Sequence, residues 1–303
     1  MPGEGSHPEG PGAEDPMTRA SQRRRVHRYT AQGDEGGRAD TLAGEEPLEI
    51  RLHGSPFTVT MRTPGHDFDL VAGFLVSEGV VRAPSELAQM DYRSGIGPDG
   101  QRTYNVVDVR LAPGVALPDT SMQRHVYTSS SCGVCGTASI EAVTKVSSFD
   151  PAADPVRLPV PGLLALPDRL RTGQKLFATT GGVHAAGLFR WPAHSAEPAD
   201  GPAEPELLCV REDVGRHNAV DKVVGWALRE GLLPLRGTVL QVSGRASFEL
   251  VQKASMAGVP ALAAVSAPSA LAVDLADEVG ITLLGFSRGT SFNAYAHRER
   301  LVP

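Results

Sequence analysis

Over its last hundred residues the chain alternates short apolar runs with amphipathic segments, and that pattern leaves few folds open. Runs at 207–210, 238–242, 261–265 and 281–284 are dominated by Leu, Val, Ile and Ala and are too short to be helices. The segments between them, 218–229, 247–256 and 269–279, carry apolar residues at helical spacing. Strands that feed helices in succession build β-α units, and continuously apolar strands are those covered on both faces. The pattern predicts a layered α/β domain around a mainly parallel sheet.

The first half reads differently. Leu48, Ile50 and Leu52 alternate with polar residues, Gly54 and Ser55 supply a turn, and Phe57, Val59 and Met61 alternate again, which predicts a β-hairpin. Residues 67–78 place Phe68, Val71, Phe74 and Leu75 on one helical face, with Gly79 as C-cap, and a strand follows at 106–111. These elements predict a smaller β-rich subdomain over 46–125, ahead of the α/β domain over 126–303. In front of both, eight of the first sixteen positions are Gly or Pro, so residues 1–45 are expected to be a disordered tail. The run Arg23-Arg24-Arg25 then reads as solvated charge. Proline-rich 150–167 and the segment 191–206, with four prolines, read as surface connections.

Charge narrows the function. With 29 Lys+Arg against 35 Asp+Glu the chain carries −6, which argues against a general nucleic-acid binder. An anionic ligand must be met by a local cluster of cations. No apolar run reaches eighteen residues and no apolar signal region opens the chain, so neither a membrane span nor secretion is expected. Three cysteines, Cys132, Cys135 and Cys209, do not make a disulfide framework, and a cytoplasmic protein is expected.

Cys132 and Cys135 form a C-x-x-C within 129–136, SSSCGVCG. Two sulfurs at this spacing can share zinc, close a reversible disulfide, or pair a nucleophilic thiolate with a resolving thiol. A structural zinc site needs two more ligands, and Cys209, His184 and His217 lack paired metal spacing; no tightly bound metal is expected. Zinc deaminase chemistry requires an upstream H-x-E as proton shuttle and a proline before the first cysteine, where this chain has Ser131. A helix is expected after the motif, through Ile140, Val143 and Val146.

Three further segments sit at predicted strand ends. Ser243-Gly244-Arg245-Ala246-Ser247, Ser266-Ala267-Pro268-Ser269 and Phe286-Ser287-Arg288-Gly289-Thr290-Ser291 each follow an apolar run. In open α/β sheets such loops converge beyond the strand ends, where backbone N–H groups and arginines suit an anion. A fourth, 211–222 (REDVGRHNAVDK), is dense in ionisable residues. Its plain reading is a solvated capping segment with Asn218 as N-cap and Asp221 three positions on, which leaves Arg216 and His217 unexplained. Gly181-Gly182-Val183-His184 reads as a turn carrying a histidine.

In combination, SSSCGVCG, TGGVH, REDVGRHNAVDK, SGR and GFSR resemble the formate dehydrogenase accessory sulfurtransferase family, from about Leu48 to the C-terminus. The resemblance implies a cytidine-deaminase-like layered fold without the deaminase's zinc residues. It implies a sulfur carrier: a cysteine desulfurase loads Cys132 as a persulfide, with Cys135 as its companion. The sulfur then passes to the molybdenum of a bis-(molybdopterin guanine dinucleotide) cofactor destined for formate dehydrogenase. By position, 286–291 corresponds to the family's cofactor-binding stretch, and Ser243, Gly244, Arg245, His184 and His217 are further candidates beside it. The rival readings are a zinc-dependent hydrolase of a nucleotide-like substrate and a non-catalytic chaperone for the cofactor. A homodimer is expected to cover an open sheet edge.

Overall fold

Apolar alternation on both faces of one central sheet organises the protein in a computed structural model, which describes residues 19–93, 95–96, 102–118, 146–192 and 204–303. The chain opens with a long antiparallel hairpin, β1 (Ser21–Thr30) and β2 (Gly33–Ala43), exposed along most of its length. This corrects the expected tail over 1–45: residues 21–43 are a two-stranded ribbon, while 1–18 lie outside the described residues. The ribbon lacks an apolar face, because its strands carry arginines and glycines where a buried strand carries Val or Ile. Backbone ladder bonds hold it, and these leave no periodicity to read.

The predicted hairpin follows as β3 (Glu46–Leu52) and β4 (Ser55–Arg62), then α1 (Asp67–Ser77), β5 (Leu87–Tyr92), the short pair β6 (Gly95–Ile96) and β7 (Arg102–Thr103), and β8 (Val106–Leu111). β3, β4, β5 and β8 form a four-stranded sheet in the order β4-β3-β8-β5, with β3 and β8 parallel. After β9 (Leu158–Pro159) come three short helices, α2 (Val160–Leu164), α3 (Leu166–Gly173) and α4 (Lys175–Thr180). The remainder alternates: β10 (His184–Arg190), β11 (Glu206–Asp213), α5 (Arg216–Arg229), β12 (Thr238–Val242), α6 (Phe248–Met256), β13 (Ala261–Ala264), α7 (Ala270–Val279), β14 (Thr282–Arg288), β15 (Ser291–Ala296) and β16 (Leu301–Val302), which pairs with β9.

The central sheet runs β11-β10-β12-β13-β14-β15. Only β12–β13 and β13–β14 are parallel, so the sheet is mixed rather than mainly parallel. The reason is connectivity. No helix lies between β14 and β15, and a hairpin turn permits only antiparallel pairing. On one face Leu240, Val242, Leu262, Ala264 and Leu283 pack against α5 and α6, and beyond them α1 and the four-stranded sheet share the same core. On the other face Val239, Ala261, Ala263 and Leu284 pack against Leu163, Leu166 and Leu170 of the short helices. Both faces are covered, as the continuous apolar strands require.

The two halves meet where α1 crosses α5 at backbone contact. A Cβ added to Gly73 would lie 1.8 Å from the Asp221 carbonyl oxygen, and one added to Gly225 would lie 1.8 Å from that of Asp69. Around this crossing the charges of 211–222 are buried and paired. Lys222 Nζ lies 2.7 Å from Asp213 Oδ2 and donates to the Thr63 carbonyl at 2.9 Å. Lys253 Nζ donates to both Asp221 oxygens at 2.8 Å, and the Ser77 hydroxyl donates to Asp221 at 2.7 Å. Asp69 accepts from Arg211 and Arg229. The capping reading of this segment is therefore corrected: Gly215 is the N-cap, and Asn218 Nδ2 donates to the Met61 carbonyl at 2.7 Å and to Asp213 at 3.1 Å. Met61 lies 157 residues from Asn218 in sequence, and Thr63, whose N donates to Asp213, lies 150 residues from it, so no local pattern reveals these bonds.

Candidate functional site

The three strand-end loops are stitched into one rim. Ser266 N donates to the Gly244 carbonyl at 3.3 Å, Ser269 N to that of Ala246 at 3.0 Å, and Phe286 N to that of Ser266 at 3.2 Å. Arg288 Nε reaches the Val265 carbonyl at 3.4 Å, and its guanidinium lies 5.6 Å from the Phe286 ring centre. Gly285 permits this closeness, since a Cβ there would meet Pro268 at 2.8 Å and Tyr295 at 2.9 Å. The next residue, Phe286, holds a left-handed backbone (φ 51) with an exposed ring, a conformation that surrounding structure must impose on a side chain of this size.

The histidines join the rim from below. His184 opens β10 beside Gly244, where an added Cβ would sit 3.4 Å from its Nδ1. Burial and then the positive charge of Arg216 push the His184 imidazole below its ordinary value of 6.5, so it is neutral at neutral pH. His217, in the first turn of α5, lies 2.6 Å from Glu249 Oε2 and 3.2 Å from the Ser247 hydroxyl. Burial works to raise Glu249, but the His217 hydrogen bond and charge and the charges of Arg216 and Lys253 hold the carboxyl below its usual range.

The candidates differ in access. Arg245, Arg288, Gly289, Thr290 and Ser291 are exposed, Ser243 and Gly244 are half-buried, and Ser287 is buried within the sheet. The Ser243 hydroxyl accepts from Ala185 N at 2.9 Å and so fixes the loop to β10. Among the described residues no carboxylate forms an ion pair with Arg216, Arg245 or Arg288. Arg216, missed by the sequence reading as a site residue, has a buried Nε with no hydrogen-bond partner. A rim whose arginines no carboxylate pairs is suited to a polyanion.

Beside the rim, α3 and α4 wall off a cavity of about 560 Å³ whose lining includes Leu170, Phe177, His184, Ser243 and Val265. Cys132, Cys135 and the helix expected after them lie outside the described residues. Cys209 is buried in β11, and burial pushes its thiol up to about 12, which makes it a poor nucleophile or metal ligand. Among the described residues no group of three or more His, Cys, Asp or Glu side chains is placed to hold a metal. None of the described helices is long and apolar enough to cross a membrane.

Residues 43–302 match the FdhD/NarQ family. The chain belongs to that family. Its FdhD/NarQ relatives include the sulfur carrier protein FdhD of Streptomyces avermitilis, 57% identical over 287 residues, covering 94% of this chain and 97% of that one. The protein of the same name from Mycolicibacterium paratuberculosis is 56% identical over 281 residues, covering 93% and 98%. A crystal structure of a candidate formate dehydrogenase accessory protein from Desulfotalea psychrophila superposes with a TM-score of 0.66 at 23% identity, over 93% of this chain and all of that one. At that identity the likeness speaks for the fold alone. The motif combination that suggested the family is thus borne out, and the layered α/β architecture with it.

Proposed function

We propose that this chain is a sulfur carrier that serves formate dehydrogenase. The observation that carries the reading is near-full-length similarity to proteins named sulfur carrier protein FdhD. On it we build the finer steps. The Cys132 thiolate attacks the outer sulfur of a persulfide on a cysteine desulfurase; the new S–S bond forms as the donor cysteine leaves as a thiolate. The acceptor is the molybdenum of a bis-(molybdopterin guanine dinucleotide) cofactor, a substrate here and not a resident group. Release of the outer sulfur as sulfide takes two electrons from that acceptor and returns Cys132 as a thiolate. Cys135, three positions on in sequence, is the companion thiol that relays or discharges the sulfur.

The rim supports the acceptor's part in this scheme. The substrate carries pyrophosphates, and charge-assisted hydrogen bonds contribute roughly 1.5–3 kcal/mol each. Arg245 and Arg288 are exposed cations without carboxylate partners among the described residues, so binding would not first require breaking an internal ion pair. The test is mass spectrometry after incubation with a cysteine desulfurase and cysteine. The expected result is a gain of one sulfur atom on Cys132, and loss of formate dehydrogenase activation in Cys132→Ala. Intact protein without the adduct would overturn the mechanism, and Cys132→Ala that still activates would favour a chaperone.

A further inference from the structure

A second cavity, also of about 560 Å³, lies across α4 from the rim and shares no lining residue with the first. Lys175, Leu176 and Thr179 line it, whereas Phe177 faces the cavity beside the rim. At about 3.6 residues per turn these are opposite faces of the helix. Five parts of the chain converge here: the base of the ribbon at Ser21, the turn at 63–66, α4, β11 and α5. The cavity thus sits where the N-terminal half meets the α/β half, a junction of the kind that holds small-molecule sites, and its volume is in their range.

Its charges are unevenly used. The one lining carboxylate, Glu212, accepts from Leu176 N and Phe177 N at 2.8 Å through its two oxygens. Of the lining cations, Lys222 is held by Asp213 and the Thr63 carbonyl, and Arg211 by Asp69. Two basic side chains are left over. Lys175 is exposed and pairs with no carboxylate among the described residues. His66, its side chain 43% exposed, makes no hydrogen bond to a described residue through its ring; Asp69 Oδ2 lies 3.8 Å from Nδ1, out of reach. The turn fixes this ring at the cavity through successive positive φ angles, 105 at Gly65 and 55 at His66. Partial burial and then the charge of Arg211 push the imidazole below 6.5, so at neutral pH it carries one N–H to donate. Beside these groups the lining is apolar, through Pro64, Leu176 and Val210.

We propose that this cavity is a binding site for a small organic acid, its carboxylate taken by Lys175 and His66 and its apolar body by Pro64, Leu176 and Val210. An inorganic anion would leave the apolar wall without a partner, and a neutral ligand would leave Lys175 without one. An organic acid uses both parts of the lining.

Calorimetric titration of the full chain with 2-naphthoate and with its neutral analogue 2-naphthamide tests the site. Wild-type protein binds the acid at least about tenfold more tightly than the amide. Lys175→Met removes an exposed charge, and His66→Asn keeps a residue that tolerates the left-handed backbone. Each loses about tenfold in naphthoate affinity, with a melting temperature close to that of wild type. Arg245→Ala/Arg288→Ala binds naphthoate as wild type does. No saturable binding, equal affinity for acid and amide, or full naphthoate affinity in both cavity variants overturns the proposal. Loss of naphthoate binding in the rim variant also overturns it, since the acid would then sit at the rim.

Discussion

The crossing of α1 with α5 and the rim at the strand ends both concentrate charge, yet they treat it in opposite ways. At the crossing every cation has an anion: Lys222 has Asp213, Lys253 has Asp221, and Arg211 has Asp69. At the rim Arg216, Arg245 and Arg288 have none among the described residues. Two regions built partly from one segment, 211–222, thus separate structural charge from charge left open to a ligand. A dense run of ionisable residues is by itself neutral between these roles. What decides is whether the opposite charge is supplied from within the fold.

The comparison breaks most visibly at the glycines. Gly225→Ala is expected to cost more than about 4 kcal/mol, because its Cβ meets backbone and not a side chain that can move. Circular dichroism should show no cooperative melt at the wild-type position, and a near-normal melt would mean that the helices do not cross as described. Next in size, Lys222→Met leaves Asp213 buried without its partner and should cost about 3–5 kcal/mol in urea denaturation. Adding Asp213→Asn should recover part of that loss, which a simple packing defect would not.

A smaller effect concerns pH. The folded protein holds His184 below 6.5 through burial and Arg216, and His66 through burial and Arg211, so the unfolded chain takes up protons first as pH falls. Stability is then fully present above the ordinary value of 6.5 and declines as pH drops from there through the lower folded values. Melting temperature against pH should slope downward on acidification, and His184→Asn should flatten the slope in part. Smallest of all, Arg245→Ala should change stability by no more than about 0.5 kcal/mol, as for an exposed side chain without a partner. A fall comparable to that of Lys222→Met would erase the distinction between the two regions.

Much of the fold was open to reading because it rests on local periodicity. The β3–β4 hairpin, α1, β8 and the alternation from β11 to β14 all carry apolar patterns that match their burial. The β1–β2 ribbon escaped because exposed strands need no apolar alternation. The antiparallel β14–β15 pairing left a signal that went unused, since only two residues separate the strands and that spacing makes a hairpin. At the site, Arg245 and Arg288 were legible from their place after apolar runs. Arg216 was not, because an unsatisfied donor is defined by what fails to surround it in space.

The most direct test of the rim as a polyanion site is a GDP titration of wild-type protein against Arg245→Ala/Arg288→Ala, with the melting temperature of each recorded in parallel. The account predicts at least about a tenfold loss of affinity with a melting temperature close to that of wild type. Unchanged affinity together with a lowered melting temperature would contradict it, and would make these arginines part of the scaffold.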